Sequence, residues 1–256
     1  MASYIDRVDS ETPPERAAAV TRSGDCSFGT CDGSGFVVDE QTNTASDCRC
    51  RSTRISRARS RSLSQVIPRK YRGVSFDRPP VTEIAPAVTQ AVRAYVRHLD
   101  ENLDSGRGLW FFGGVGTGKT TLAMLVSQAA LQAGRSVAIY SLPRLLAEIR
   151  TTFDDSSQRS YTELLDRLAA VDLLHVDDVG AEKTSPWVLE QLYAIVNARY
   201  EEERSVVITT NLERGELAEQ INERTVSRLE EMCDVLPLWG ADARQYRPDA
   251  ADRRTA

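Results

Sequence analysis

From residue 82 onward, short apolar runs alternate with longer stretches whose apolar residues recur at helical spacing. Residues 82–102 form the first such stretch, and their period predicts an amphipathic helix with Val88, Val92, Tyr95, Val96 and Leu99 on one face. Five short apolar runs rich in β-branched or aromatic residues predict strands at 109–112, 137–140, 171–176, 206–209 and 234–238. Further helices are predicted at 121–133, 143–150, 161–170, 185–200, 214–220 and 222–230. Strands that alternate with helices predict an α/β fold, with a parallel five-stranded sheet and helices on both faces.

The first 75 residues lack this alternation. Residues 1–22 are polar and predicted to be disordered, residues 23–50 hold four of the five cysteines, and residues 51–75 form a basic linker. Residues 76–245 form the predicted α/β domain, and 246–256 a C-terminal tail. No apolar run is long enough to span a membrane, and the polar N-terminus does not read as a secretory signal. We therefore expect a cytoplasmic protein.

The net charge of −5 hides a local excess of positive charge. Residues 49–72 contain nine Arg or Lys residues and no acid. Such a segment either gives the chain a local affinity for nucleic acid or is a solvated linker that binds nothing. The sequence leaves both interpretations open.

A glycine-rich turn after the first predicted strand is the clearest chemical signal. Residues 113–120 fit the phosphate-binding pattern G-x-x-x-x-G-K-[ST]. The glycines allow a tight turn that aims backbone N–H groups at a polyphosphate, Lys119 reaches the β- and γ-phosphates, and the Thr120 hydroxyl ligates Mg²⁺. The chain has only three lysines, and one of them occupies the position that the motif requires. The predicted nucleotide-binding residues are Gly113, Gly114, Val115, Gly116, Thr117, Gly118, Lys119, Thr120 and Thr121.

Two acids follow the third predicted strand, at the edge where ligands bind to open parallel sheets. Asp177 is predicted to hold Mg²⁺ together with Thr120, and Asp178 to orient or deprotonate an attacking water. Asn211 follows the fourth strand, where it either bonds to the γ-phosphate or the water, or supplies turn chemistry. His175, on the same strand as the two acids, is predicted to be a packed core residue.

Two arginines, Arg224 and Arg228, lie four residues apart on one face of the last predicted helix. Single surface arginines are usually solvated. This pair can instead be presented to the γ-phosphate of a neighbouring subunit, as an arginine finger. Arg228 is therefore a candidate catalytic residue that acts in trans.

The N-terminal cysteines are spaced as C-x4-C and C-x-C, at Cys26, Cys31, Cys48 and Cys50. In a reducing compartment, such a cluster is more often a metal site than a disulfide framework, so it predicts bound Zn²⁺. A small disulfide-prone or metal-free arm is the alternative, because zinc ribbons more often use C-x2-C in both pairs. Residues 36–38 predict a short strand that leads into a polar hairpin between the two pairs. Cys233, on the fifth predicted strand of the α/β domain, is expected in its core.

These elements together resemble the AAA+ ATPases of the bacterial DnaC/DnaI helicase-loader type, with the IstB transposition helpers as close relatives. The resemblance covers residues 23–245. Residues 113–120 match the Walker A loop, and residues 173–178 are similar to the Walker B segment. Residues 209–211 are similar to the sensor-one turn, and residues 223–229 to the box that carries the arginine finger, which falls on Arg228.

Two N-terminal segments extend the resemblance. Residues 71–76 resemble the segment that lies near the adenine, and the cysteine module looks like the zinc-binding helicase-contact domain of some loaders. The few residues after Leu229 leave no room for the helical lid of larger AAA+ proteins, so Arg244 is the candidate substitute for the usual lid arginine.

The resemblance implies a DNA-replication accessory protein that binds ATP and hydrolyses it slowly with Mg²⁺. It implies a helicase loader that contacts a replicative helicase through the N-terminal module, engages single-stranded DNA and forms homo-oligomers on binding ATP. A transposition helper ATPase of the IstB type would share the core and differ in its partner region. A nucleotide-dependent scaffold with negligible turnover is a further alternative, against which Asp178 and Arg228 argue.

Overall fold

The computed structural model describes residues 26, 28–39, 41–51, 54, 67–154, 158–181 and 185–240. The chain divides into two compact units, residues 1–51 and 52–256. The predicted disordered N-terminus, most of the basic linker, the C-terminal tail and Arg244 lie outside the described residues.

The N-terminal unit is built around a small hairpin. Strand β1 (Phe36–Asp39) pairs antiparallel with strand β2 (Thr44–Asp47), with Phe36 opposite Asp47. The Asp39 carboxylate accepts a hydrogen bond from the backbone N–H of Gln41 at 2.9 Å, which supports the polar turn between the strands. Most strand residues are exposed, whereas Cys48 and Cys50 are buried. The cysteines therefore supply the interior of this unit.

The second unit contains a parallel five-stranded sheet, as the alternating pattern predicts. Its strands are β3 (Gly108–Gly113), β4 (Val137–Ser141), β5 (Leu173–Asp177), β6 (Ser205–Thr210) and β7 (Cys233–Leu238). Their spatial order is β4-β5-β6-β3-β7, and every pairing is parallel. The order places β3 between β6 and β7, so the carboxyl ends of three strands meet beside the turn after β3.

Within the described residues of this unit, two α-helices precede the first strand of the sheet and six lie between its strands. They are α1 (Pro86–Arg97), α2 (Leu99–Asp104), α3 (Lys119–Gln132), α4 (Leu142–Asp154), α5 (Gln158–Ala170), α6 (Pro186–Glu201), α7 (Arg214–Ile221) and α8 (Glu223–Met232). Two short 3₁₀ turns, Arg69–Tyr71 and Val81–Glu83, precede α1. Residues 155–157, between α4 and α5, lie outside the described residues. None of the helices described is both long and apolar enough to cross a lipid bilayer.

The prediction of one helix over residues 82–102 is wrong. The chain forms a 3₁₀ turn, then α1 from Pro86, and breaks at His98 before α2. Proline suits the first turn of a helix because its missing N–H needs no partner there. At the break, the Asn102 side chain donates to the Tyr95 carbonyl at 3.0 Å, and so replaces a backbone hydrogen bond of a continuous helix.

Helices cover both faces of the sheet. Successive residues of a strand point to opposite faces, so each strand contributes side chains to both sides. Leu109, Phe111 and Val207 pack with α1, α2 and α3 on one face. Trp110 and Ile208 pack with helices α4 to α8 on the other. Each face holds a continuous apolar cluster, so the sheet forms the centre of a three-layer core.

The charged side chain of Arg199 is fully buried in this core. Arg199 of α6 donates to the backbone carbonyls of Leu168, Val171 and Ser205 at 2.6, 3.0 and 2.6 Å. Burial lowers the pKa of its guanidinium to about 9, and the charge of Arg204 acts in the same direction. Arg199 therefore stays charged at neutral pH and ties α6 to the end of α5 and the start of β6.

Candidate functional site

The glycine-rich turn connects the end of β3 to the start of α3, as the sequence predicts. Gly113 has φ +133°, and a Cβ there would overlap the carbonyl oxygen of Leu238 on the neighbouring strand. Gly118 has φ +99°, and a Cβ there would overlap the Ile84 side chain. Helix α3 begins at the next residue, so the first N–H groups of a helix face the turn. Glycine is required at both positions because φ is positive there and because a Cβ would collide with a neighbouring residue.

The Lys119 ammonium lies inside this turn. Its Nζ donates to the carbonyl oxygens of Gly113 and Gly114 at 2.8 and 2.6 Å, and the residue is buried. The Thr117 hydroxyl also donates to the Gly114 carbonyl, at 2.9 Å. The loop therefore holds a positive charge close to its own backbone, next to the N-terminus of α3.

Asp177 and Thr120 are brought together across 57 positions of sequence. The Thr120 hydroxyl donates to Asp177 Oδ1 at 2.9 Å. The Thr209 hydroxyl, from the neighbouring strand β6, donates to the same oxygen at 2.6 Å. Carboxylate and hydroxyl oxygens are ligands that Mg²⁺ accepts, and Mg²⁺ sites usually keep several waters and phosphate oxygens as well. This donor set at the end of the phosphate loop fits that ion.

Thr209 also positions Asp178. The Asp178 backbone has φ +59°, and its N–H donates to Thr209 Oγ1 at 3.0 Å. The next N–H, of Val179, donates to the Thr209 carbonyl at 2.8 Å. Sequence reasoning placed Thr209 only at the start of a sensor-like turn and missed this role. The one indication of this role in the sequence was the Thr209 hydroxyl at the end of an otherwise apolar predicted strand.

A cavity of about 880 Å³ opens over the loop. It brings together the predicted loop residues from Val115 to Thr121 with Asp178 and Asn211. Tyr71 and Val74, from the segment expected near an adenine, also line it. The sequence did not single out several other lining residues, namely Lys70, Pro80, Glu83, Ile84, Ala85, Ala181, Trp239 and Gly240.

Arg228 is not among the described residues that line this cavity. Its guanidinium carbon lies 4.8 Å from the ring centroid of Tyr193 and 5.6 Å from that of Tyr200, both on α6. Arg224, one turn earlier on α8, is exposed. Within one chain, the two arginines are thus not brought to the phosphate loop.

Two residues expected in the core are there. His175 is fully buried, and its Nδ1 lies 2.8 Å from the Ser127 hydroxyl of α3. Burial lowers the pKa of His175 to about 3, so the ring is neutral. Cys233 is buried at the start of β7, and burial raises the pKa of its thiol. Neither residue contributes a charge at neutral pH.

In the N-terminal unit, the sulfur atoms of Cys26, Cys31, Cys48 and Cys50 all lie within 4.8 Å of one another. The Cys26–Cys48 and Cys31–Cys50 sulfur pairs are 3.6 and 3.5 Å apart. Tetrahedral Zn²⁺ with Zn–S bonds of about 2.3 Å needs sulfur atoms roughly 3.8 Å apart, so this cluster fits that ion. The Thr30 hydroxyl, which the sequence did not single out, lies 2.9 Å from Cys48 Sγ and lowers the pKa of that thiol.

Comparison with known proteins identifies relatives of the larger unit. Residues 96–247 match the family described as IstB-like ATP binding protein. The replicative helicase loader DnaC of Escherichia coli strain K12 is 31% identical over 137 residues, which are 54% of this chain and 54% of that protein. The DnaC loader of Buchnera aphidicola subsp. Schizaphis graminum is 29% identical over 142 residues, 56% of each chain. The chain therefore spans about half the length of the curated relatives it matches.

A solved structure supports the same relationship. A crystal structure of the DnaC helicase loader is 25% identical and has a TM-score of 0.56, covering 67% of this chain and 99% of that one. The predicted P-loop fold and the predicted resemblance to DnaC-like AAA+ ATPases are thus confirmed. Because the matching family covers more than half of the sequence, this chain belongs to the IstB-like ATP-binding proteins.

Proposed function

We propose that this protein is a DNA-replication accessory ATPase that loads a replicative helicase, and that it binds ATP with Mg²⁺ and hydrolyses it slowly. The observation that carries the proposal is the arrangement around Asp177. One carboxylate oxygen accepts from both Thr120 and Thr209, directly beside a phosphate loop and its lysine. Such a carboxylate and hydroxyl are the protein ligands of Mg²⁺ in P-loop NTPases.

ATP binding would use the groups that the loop already directs inward. The N–H groups at the start of α3 would bond to phosphate oxygens, and the Lys119 ammonium would exchange its carbonyl partners for them. Thr120 and Asp177 would hold Mg²⁺, which neutralises charge between the phosphates. The proposed nucleotide-binding set is completed by Gly113, Gly114, Val115, Gly116, Thr117, Gly118 and Thr121.

Hydrolysis would depend on Asp178 and Asn211, which line the cavity beyond the loop. We assign Asp178 to orient the attacking water and accept its proton, and Asn211 to bond to that water or to the γ-phosphate. The water oxygen attacks the γ-phosphorus, and the bond to the bridging oxygen of ADP breaks. The hydrogen bond from the Asp178 N–H to Thr209 supports this role because it fixes the backbone from which the carboxylate projects.

Arg228 is proposed to complete the site of a neighbouring copy of the chain. It lies on α8 away from the cavity of its own chain, where a guanidinium cannot neutralise charge that develops at that γ-phosphate. ATP-dependent homo-oligomers would supply the missing contact, with Arg224 as a supporting interface residue. The rings of Tyr193 and Tyr200 hold the guanidinium in the isolated chain.

The cysteine cluster is proposed to bind one Zn²⁺ per chain and to fold a module that contacts the helicase. The sulfur distances support metal binding, and the resemblance to loaders supports the partner. Single-stranded DNA is the proposed nucleic-acid ligand, with residues 51–75 as the basic linker that contacts it electrostatically. Residues 76–245 are the proposed ATPase domain, and the cytoplasm is the proposed location.

A transposition helper is the second candidate, because the matching family is described by its IstB-like members.

The test uses the full chain, immobilised with ATP, and offers it a replicative helicase and an IS21-type transposase from the same source. We expect retention of the helicase, and loss of that retention after Cys48→Ser/Cys50→Ser. Retention of the transposase alone would favour the second candidate. A chain that releases no phosphate with either partner would be the nucleotide-dependent scaffold.

A further inference from the structure

The cavity over the phosphate loop is lined by two chemically different sets of residues. The first set is the loop from Val115 to Thr121 with Asp178 and Asn211, which are the groups that phosphates and an attacking water require. The second set is apolar, namely Tyr71, Val74, Pro80, Ile84, Ala85 and Trp239. A polyphosphate accounts for the first set, and only Tyr71 and Val74 of the second belong to the segment expected near an adenine.

Trp239 is the largest member of the apolar set. It directly follows Leu238, which is almost completely buried, yet 58% of its own surface is exposed. Its ring stands perpendicular to that of Phe112, with centroids 5.6 Å apart. This contact fixes the indole and still leaves more than half of it uncovered. The uncovered part offers a stacking surface to a planar ligand group in the cavity.

The position of Trp239 is set by the same strands that form the loop. Leu238 pairs with Gly113 in the sheet, so the indole is one residue away from the partner of the first loop glycine. The Ile84 side chain packs against Gly118 closely enough to exclude a Cβ. The apolar set is therefore tied to the loop in two places, through the Ile84 side chain at Gly118 and through the strand pairing that precedes Trp239.

We infer that Trp239 stacks against the nucleobase of the bound nucleotide and so contributes affinity for its nucleoside part. The inference rests on the proposed nucleotide binding and extends it. A nucleoside triphosphate has a charged tail and a base with planar apolar faces, which match the two sets of lining residues. Stacking on an indole suits any base because every base has a π-face, so Trp239 raises affinity without selecting among bases.

The test separates the base from the phosphates. Affinities for Mg-ATP and for inorganic tripolyphosphate with Mg²⁺ are measured by calorimetry for the full chain and for Trp239→Ala. We expect the substitution to weaken ATP binding by about tenfold and to leave tripolyphosphate binding unchanged. Trp239→Phe keeps an aromatic face and should retain ATP affinity to within about threefold.

Trp187 provides a matched control. It lies on α6, where its ring contacts the Arg150 guanidinium with 4.9 Å from the guanidinium carbon to the ring centroid, and it does not line the cavity. Trp187→Phe should leave both affinities unchanged. In that variant the remaining tryptophans are Trp239 and the fully buried Trp110. ATP should therefore quench the fluorescence of the exposed Trp239, and tripolyphosphate should not.

Three outcomes have distinct meanings. Equal weakening of ATP and tripolyphosphate by Trp239→Ala would make the indole a support for the loop and overturn the inference. Unchanged ATP affinity in Trp239→Ala, or an unquenched Trp239, would also overturn it. A wild-type chain that binds neither ATP nor tripolyphosphate would instead contradict the proposed function itself.

Discussion

The two units of this chain show two ways to hold polar groups in a fixed geometry. In the larger unit, two apolar clusters cover the faces of a sheet, and the loop residues take their positions from strand ends. In the N-terminal unit, the hairpin strands are mostly exposed, and buried cysteines occupy the interior. The first arrangement needs no ligand to fold, because burial of apolar surface stabilises it. The second has little apolar surface to bury, so its stability is expected to come from a metal.

The largest predicted effect is therefore removal of zinc. The purified full chain should carry about one Zn²⁺, and chelation should unfold the N-terminal unit, since structural Zn²⁺ sites contribute on the order of 10 kcal/mol. Heteronuclear NMR would report loss of the hairpin resonances, while those of the sheet and the affinity for ATP stay unchanged. Protein prepared under reducing conditions that contains no metal and keeps a folded hairpin would contradict the expectation that a metal stabilises the N-terminal unit.

Arg228→Ala should have the next largest effect. It tests whether the ATP site of the larger unit needs a residue from a neighbouring chain. We expect normal ATP binding and a loss of turnover of about 10³-fold, because arginine fingers typically contribute at least that much. Mixing this variant with Lys119→Ala should restore part of the activity, because a mixed interface can join an intact loop to an intact finger. Turnover per chain that is independent of protein concentration, with no restoration on mixing, would make Arg228 a residue without a role in trans.

Arg199→Met tests whether the buried guanidinium of Arg199 stabilises the larger unit. The substitution leaves the carbonyls of Leu168, Val171 and Ser205 without their buried donor. We expect a loss of about 3 kcal/mol in the free energy of unfolding, measured by urea denaturation of the sheet. Arg93→Met is a control that removes an exposed guanidinium, paired with the exposed Asp77, and should cost less than about 1 kcal/mol. An equal effect of the two substitutions would contradict the account.

Asp178→Asn should separate binding from chemistry within the same site. The amide keeps the shape of the side chain but cannot accept the proton of the attacking water. We expect unchanged ATP affinity and a fall in phosphate release of about 10²-fold. Glu213→Gln, at the N-terminus of α7 outside the cavity, serves as a control that should keep wild-type turnover. Undiminished phosphate release from the Asp178 variant would place the base elsewhere.

The sequence was sufficient for the parts of the site that local spacing determines. The loop from Gly113 to Thr120 is a continuous motif, and Asp177 follows an apolar strand, so both could be recognised without knowing which strands are neighbours. The alternation of apolar runs and amphipathic stretches likewise determines an α/β class. Strand and helix ends differ from the predicted ones by a few residues, because capping and fraying decide them.

The remaining features depend on tertiary neighbours. Thr209 bonds to Asp177 because β6 lies beside β5, and Trp239 joins the cavity because β7 lies beside β3. Strand order is not encoded in the period of a single segment, so neither contact could be predicted from the pattern. The break at His98 depends on the Asn102 side chain, which replaces a backbone donor. Hydrophobic period alone could not distinguish this arrangement from a continuous helix.

The central claim is that residues 113–121 with Asp177 form the site for Mg-ATP. The most direct measurement is the calorimetric affinity of the full chain for ATP, with and without Mg²⁺, compared with Lys119→Ala. Arg97→Ala, at an exposed residue of α1 that does not line the cavity, is the control for charge. The account predicts Mg²⁺-dependent binding by the wild type, at least about 100-fold weaker binding by Lys119→Ala, and a much smaller change in Arg97→Ala. ATP affinity that is unchanged in Lys119→Ala would contradict it.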